Sequence, residues 1–289
     1  MSKKERFSLI EFMQRFGTEE ACREYLVSKR WPDGFICPKC GARNGYTLAI
    51  GHIQCSGCRY QASVTAGTVM HRSHLPLTKW FLAFYLVSQD KRGISAIQLS
   101  RQLDVTYKTA WYLLHRIRKA MGRRNGRYLL SGVVEFDDAY IGGPTVGKKR
   151  GRGTEKSKVF VAVSLKDDEK PKHLCMQLTK NLKQASVKRF AKTHIQKGST
   201  VRADAFRSYP PALTKDYALE MQPYDPNSGE LHWLHTLVSN AKAFILGTYH
   251  GLPRKNPQPY LDEFCFRFSR RDFFGQLFDR LAIAVVSSG

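Results

Sequence analysis

The chain has no apolar stretch approaching the ~20 residues that a membrane-crossing helix needs. Its first residues, Met1 to Arg6, are polar and show no leader pattern. These absences exclude an evident membrane span and point to the cytosol, where structural disulfides are rare. Acid is also scarce: 24 Asp and Glu stand against 47 Lys and Arg, a formal charge of +23 with a pI near 9.9. Such a surplus attracts polyanions over long range. No basic amphipathic helix stands at a terminus, so nucleic acid is the leading partner and a membrane surface is not expected; the bland alternative is a set of solvated lysine faces. Compositional bias of the disordered kind is missing too. With 42% hydrophobic and 12% aromatic residues, the 289-residue chain is globular over most of its length and long enough for about two domains.

Seven cysteines in a reducing compartment call for an explanation, and four of them supply it. Cys37-Pro-Lys-Cys40 and Cys55-Ser-Gly-Cys58 are two C-x-x-C pairs separated by fourteen residues. Each pair forms a tight knuckle, with Gly41 and Gly57 where the backbone must turn, and four thiolates then surround one Zn²⁺ tetrahedrally. The segment between them reads as short strands with a turn at Gly51. Knuckles on a small hairpin sheet make a zinc ribbon, and the filled ligand set makes the site structural; redox pairs are the alternative. His52, His71 and His74 read as surface residues or DNA contacts, and Cys22, Cys175 and Cys265 as small buried hydrophobes.

Apolar residues at three-to-four spacing predict a helix from Ser8 to Arg30, ended by Trp31-Pro32-Asp33-Gly34, and another from Thr78 to Gln89. Next, Ser95 can cap a helix carrying Ile97, Leu99 and Leu103. Asp104-Val105 turns, and Thr106 can cap a second helix carrying Ala110, Leu113, Leu114 and Ile117. This is a helix-turn-helix pattern whose second helix presents Tyr107, Lys108, Trp111 and Tyr112 from its first turns, where such helices touch bases. An ordinary helical hairpin is the alternative. The acid-free run that follows, with Arg116, Arg118, Lys119, Arg123, Arg124 and Arg127, can neutralise several phosphates.

After Asn125-Gly126 and Ser131-Gly132 the pattern changes to strands and helices. Strands are expected over 133–141, 159–165, 174–178, 200–206 and 217–221, with a helix over 186–195. Three antiparallel-looking strands, a helix and a further strand are the order of a ribonuclease H-like fold. That order brings Asp137, near the end of the first strand, beside Asp204 in the fourth, although 67 positions separate them. Two carboxylates in apolar strands call for a partner, and hard oxygens suit Mg²⁺ or Mn²⁺. Two such ions serve phosphodiester displacement; the plain alternative is two solvated acids at strand ends. By alternation Glu135 shares the face of Asp137 and Asp138 points to the other. The glycine-rich segment 142–158, with Lys148, Lys149, Arg150 and Arg152, reads as a hairpin tip that orders on DNA, or as a solvated loop.

The chain resembles the zinc-ribbon insertion-sequence transposases of the ISXO type, whose catalytic domain is a ribonuclease H-like DDE domain. The resemblance rests on Arg30-Trp-Pro-Asp-Gly-Phe-Ile-Cys-Pro-Lys-Cys-Gly41, Val134-Glu-Phe-Asp-Asp-Ala-Tyr-Ile-Gly-Gly143, Arg202-Ala-Asp-Ala-Phe-Arg-Ser-Tyr209, Ser239-Asn-Ala-Lys-Ala-Phe-Ile-Leu-Gly-Thr-Tyr-His-Gly251 and Tyr260-Leu-Asp-Glu-Phe-Cys-Phe-Arg-Phe268. It implies an α/β ribonuclease H-like catalytic domain preceded by a zinc ribbon and a helix-turn-helix region. The expected divisions are a helical segment over 1–34, the ribbon over 35–75, the helix-turn-helix region over 76–128 and the catalytic domain over 129–280. It further implies that Asp137 and Asp204 are the first two metal-binding acids and that Lys242 is the family's downstream lysine. Such domains carry a third acid seven residues before that lysine, on a helix; here the position is His235. Asn240 is the alternative, should Ser239-Asn240 cap a helix beginning there. The implied activity is cleavage at element ends and strand transfer, with two catalytic Mg²⁺ or Mn²⁺ ions, double-stranded DNA as partner, a homo-oligomer on DNA and a place near the bacterial nucleoid. A sequence-specific DNA-binding protein with a weakened nuclease site is the second reading, and a ribonuclease or junction resolvase the third.

Overall fold

The structure, a computed structural model, describes residues 7–142, 156–222, 230–253, 255–273 and 275–287. The chain forms two compact units, one of residues 1–124 with 272–289 and one of residues 125–271.

The first unit opens with α1 (Leu9–Phe16) and α2 (Glu19–Arg30) in place of the single expected helix. The break lies at Gly17-Thr18: Thr18 is extended and its hydroxyl accepts from the Ala21 N–H, so a new helix starts there. The ribbon follows, with β1 (Gly45–Thr47), β2 (Ile53–Cys55) and β3 (Gln61–Ala62) in one antiparallel sheet. The turn at Gly51 has φ +76°, and the first knuckle turns at Gly41 with φ +74°. Gly45 is required for a different reason: a Cβ there would lie 2.9 Å from the Phe35 ring and from the Gln54 carbonyl.

Helix α3 (Leu77–Gln89) buries Trp80, Phe81, Phe84 and Val87. Helices α4 (Ala96–Leu103) and α5 (Tyr107–Asn125) form the helix-turn-helix. Ser95 accepts from the Gln98 N–H at 3.1 Å, Asp104 takes a left-handed turn conformation, and Thr106 accepts from the Thr109 N–H at 3.2 Å. Leu99 and Leu103 are buried, but Ile97 is 56% exposed, contrary to the expected inward position; two residues before Leu99, it lies about 160° around the axis from it. The unit is completed by α10 (Leu277–Val286), which packs on α2 and α3. Its Phe278 lies among the rings of Phe7, Phe12, Phe16, Tyr25 and Phe81. The division therefore differs from the expected 129–280 segment, since residues from 272 onward belong to the first unit.

The second unit is α/β. Strands β4 (Val133–Ile141), β5 (Ser157–Leu165) and β6 (Pro171–Thr179) are antiparallel; β7 (Thr200–Asp204) runs parallel to β4, and β8 (Ala218–Gln222) parallel to β7. The sheet order β6-β5-β4-β7-β8 is that of a ribonuclease H-like fold. One face packs Val134, Phe136 and Phe160 against α6 (Gln184–His194) and the short α7 (Pro210–Leu213). The other packs Ala139, Ile141 and Val161 against α8 (His232–Tyr249) and α9 (Gln258–Phe268). Inside the second layer Glu263, 1% exposed, accepts two bonds from Arg267 and one from the Tyr249 hydroxyl, which ties α8 to α9. No helix of the described residues is long and apolar enough to cross a membrane.

Candidate active site

Strand pairing assembles the carboxylates. In β4 and β7, Val134 faces Val201 and Phe136 faces Ala203, so one step further Asp137 and Asp204 stand side by side. Val201 and Ala203 point into the α6 layer, which leaves Asp204, like Glu135 and Asp137, on the α8 side. Burial first, then the Asp204 charge, pushes the Asp137 carboxyl up to about 7. Two bonds oppose the shift. The Asp138 N–H donates to Asp137 Oδ1 at 2.6 Å, and the Tyr209 hydroxyl lies 3.2 Å from the same atom. The Tyr209 hydroxyl is also 3.2 Å from Asp138 Oδ1, so one buried phenol serves both aspartates from the α6 layer. Sequence reasoning passed over Tyr209; its only signal was its place at the end of the Arg202–Tyr209 block.

Helix α8 is positioned from the same strand. Its preceding residue, Leu231, is left-handed and offers no capping side chain. Glu135, 5% exposed, accepts from the Leu234 N–H at 2.7 Å and supplies the missing cap. Across the strands Glu135, Arg202 and Glu220 form one row, and a cavity of about 490 Å³ opens there with Asp204, His232 and Trp233 in its wall.

Continuity of α8 from His232 to Tyr249 overturns the option of a helix beginning at Ser239-Asn240. His235 and Lys242, seven apart, lie within about 20° of each other around the axis, whereas Asn240 is turned about 140° from His235. His235 is held below the ordinary histidine value by burial first and by His232 and Lys242, with the Asp204 charge opposing. Of this flank it is His235 that feels the Asp204 charge. Among the described residues, however, only the cysteines bring three or more ligand atoms within 4.8 Å of one another, so His235 does not close a tight cluster with the aspartates.

That cluster is Cys37, Cys40, Cys55 and Cys58. The Sγ atoms of Cys37 and Cys58 are 3.7 Å apart and those of Cys40 and Cys55 3.6 Å. Zn–S bonds of about 2.3 Å in a tetrahedron need edges of roughly 3.8 Å, so the donor set fits zinc. Cys22 and Cys265 are buried, as the sequence suggested, whereas Cys175 is half-buried.

The expected DNA-reading residues divide. Tyr107, Lys108, Tyr112, Lys119 and Arg123 are exposed on α5, and Trp111 stacks on His115 at 4.9 Å. Arg116 instead donates to the Val69 and His71 carbonyls, and Arg118 is 2% exposed; both serve the interior more than the surface. Arg124 is half-buried. Lys148, Lys149, Arg150 and Arg152 lie outside the described residues.

Known families match both parts of the chain. The ISXO2-like transposase domain matches residues 129–269, and the transposase zinc-ribbon domain residues 17–61. Residues 129–269 thus belong to the ISXO2-like transposase domains and residues 17–61 to the transposase zinc-ribbon domains. It is also similar to an uncharacterized protein in transposable element ISH50 of Halobacterium salinarum, 28% identical over 88% of this chain and 92% of that protein. Solved structures similar to it include a pre-cleavage Mos1 transpososome, 13% identical over 72% of this chain and 78% of that one with a TM-score of 0.29. Another is a Mos1 mariner paired end complex with Mn, 15% identical over 69% and 74%, also with a TM-score of 0.29. Superpositions that loose leave the family assignment to the domain matches and the fold to the strand order.

Proposed function

We propose that this transposase binds the ends of its own element and, with Asp137 and Asp204, cuts and rejoins phosphodiester bonds. The observation that carries the reading is the pairing of β4 with β7, which sets two carboxylates side by side on one face of the sheet. Like charges brought together and partly buried repel; divalent cations relieve that repulsion, and their oxygen preference matches this donor set. Bound there, Mg²⁺ or Mn²⁺ supplies activation of the attacking oxygen and stabilisation of the leaving one. Tyr209 holds the Asp137 and Asp138 carboxylates in place. Glu135 fixes the start of the helix that carries His235, and Lys242 on the same flank is suited to a phosphate. Exposed Tyr107, Lys108, Tyr112, Lys119 and Arg123 provide the DNA contact of α5. The protein acts on DNA as a homo-oligomer in the cytoplasm, near the nucleoid.

The test incubates the chain with the DNA flanking its gene and Mg²⁺ or Mn²⁺. Asp137→Ala and Asp204→Ala are each expected to lose cleavage by several orders of magnitude while DNA binding persists. Cleavage at the wild-type rate in either variant would remove the site from β4 and β7. A second reading, a DNA-binding protein with a weakened nuclease, is favoured by His235 standing where the family carries an acid. A rise of cleavage in Mg²⁺ on His235→Glu would favour it.

A further inference from the structure

The outer face of the ribbon sheet carries a side-chain row that zinc binding does not use. Tyr46 pairs with Gln54 across β1 and β2, and Gln54 with Gln61 across β2 and β3, so the three side chains share one face. Their neighbours Ile53, Cys55 and Ala62 are buried on the other. The row is tied end to end: Gln54 Nε2 donates to the Tyr46 hydroxyl at 2.9 Å, and Gln61 Nε2 to Gln54 Oε1 at 3.2 Å. Tyr46 is 53% exposed and Gln61 exposed, yet their side chains are held in one geometry. The tie consumes one N–H of each glutamine. The Tyr46 hydroxyl proton, the second amide N–H groups and Gln61 Oε1 remain to meet a partner, a set containing both donors and an acceptor.

Charge says which partner. From Gly34 to Gln89 there is not one Asp or Glu, while Lys39, Arg43, Arg59, Arg72 and Lys79 fall inside the stretch. Lys39, Arg43 and Arg59 are exposed on and beside the knuckles that flank the row. Phosphates accept hydrogen bonds and repel acids, so an acid-free rim of cations suits a polyanion. A mixed donor and acceptor row suits base edges, which display both in the major groove. Holding the side chains beforehand reduces the rotamer entropy lost on binding.

We infer that the Tyr46–Gln54–Gln61 face of the ribbon is a second DNA-contact surface, reading duplex DNA separately from α5. The inference rests on the proposed DNA-binding function and adds a surface to it. Lys39, Arg43 and Arg59 bind phosphates beside the row, and the row itself meets base edges.

The experiment measures duplex binding by the full-length chain with the catalytic cation omitted. The probes are a duplex carrying the DNA that flanks the gene and a shuffled duplex of the same length. The triple variant Tyr46→Ala, Gln54→Ala, Gln61→Ala is expected to bind the flanking duplex on the order of tenfold or more weaker, with little change on the shuffled one. Its salt dependence should match the wild type, because no charge is removed. Arg43→Ala with Arg59→Ala should weaken both probes and lower the salt slope by about 2. Tyr46→Phe, which removes only a hydroxyl, should give a smaller loss on the flanking duplex alone; it decides the matter if the triple variant fails to retain zinc. Flanking-duplex binding at the wild-type level in a zinc-loaded triple variant overturns the inference. So does a change confined to self-association, which would make the face a contact between copies. A wild-type chain that binds neither probe fails the proposed function itself, a result distinct from either of these.

Discussion

Two of the helices that start without a capping side chain of their own, α3 and α8, each borrow a carboxylate from a distant element. In the first unit α3 begins after Pro76, and Glu19 of α2 accepts from the Leu77 and Thr78 N–H groups at 3.0 and 2.9 Å and from the Thr78 hydroxyl. In the second unit Glu135 of β4 does the same for α8 through Leu234. The electrical outcomes are opposite. Burial pushes the Glu19 carboxyl up, but its three bonds outweigh this and hold it below the ordinary value of 4.5. For Glu135 burial dominates, and the bond from Leu234 and the Arg202 charge do not offset it, so the carboxyl is raised. The same geometric task thus becomes an anchor where donors are plentiful and water is near, and an electrical strain where one donor must serve in the interior.

The strongest way to break the comparison is to remove each carboxylate. Glu135→Ala leaves the Leu234 N–H dry beneath α8, and a loss of about 2–3 kcal/mol is expected for the second unit. Hydrogen exchange should speed at the first turn of α8, and an unchanged rate there would show that Glu135 caps nothing. Glu19→Ala frees donors that water can reach, so about 1 kcal/mol is expected, with faster exchange confined to Leu77 and Thr78.

The smallest effect carries the sign. A depressed carboxyl stabilises the fold above its unfolded value and loses that contribution as pH falls through its folded value. The difference in stability between wild type and Glu19→Gln is therefore expected to be full at pH 7 and to fade as pH drops below 4.5, measured by urea unfolding at each pH. A difference independent of pH would mean that charge plays no part in the cap.

Local signals were legible in the sequence, and long-range ones only where a fold class fixes which strands are neighbours. Ser95 and Thr106 stand next to the helices they cap, so their roles could be read directly. Strand β4 runs from Val133 to Ile141, as its alternation indicated. The cysteine spacing closed on a four-thiol cluster, its ligand atoms all within 4.8 Å, because each knuckle is local. That Asp137 and Asp204 would stand side by side could be read because strand order in one fold class fixes which strands are neighbours. Glu19 and Glu135 escaped notice as caps because each acts 58 or more positions away on a helix whose own start looks uncapped. The break at Thr18 was legible in principle, but the apolar period runs on through it. Ile97 faces water because it stands two residues from Leu99, off the three-to-four spacing that Leu99 and Leu103 keep.

Helix α10 carries a consequence for how the chain is made. The ribosome issues residues 125–271 before residues 272–287, yet the earliest segment cannot bury Phe12, Phe16 and Phe81 fully until Phe278 arrives. The second unit has all its strands in hand while the first still waits with an open aromatic seam. Nascent chains of this protein therefore pass through a stage in which the older half is unfinished and adhesive, a period when chaperones have something to hold. Emergence of α10, and not of the N-terminal segment, is what closes that half.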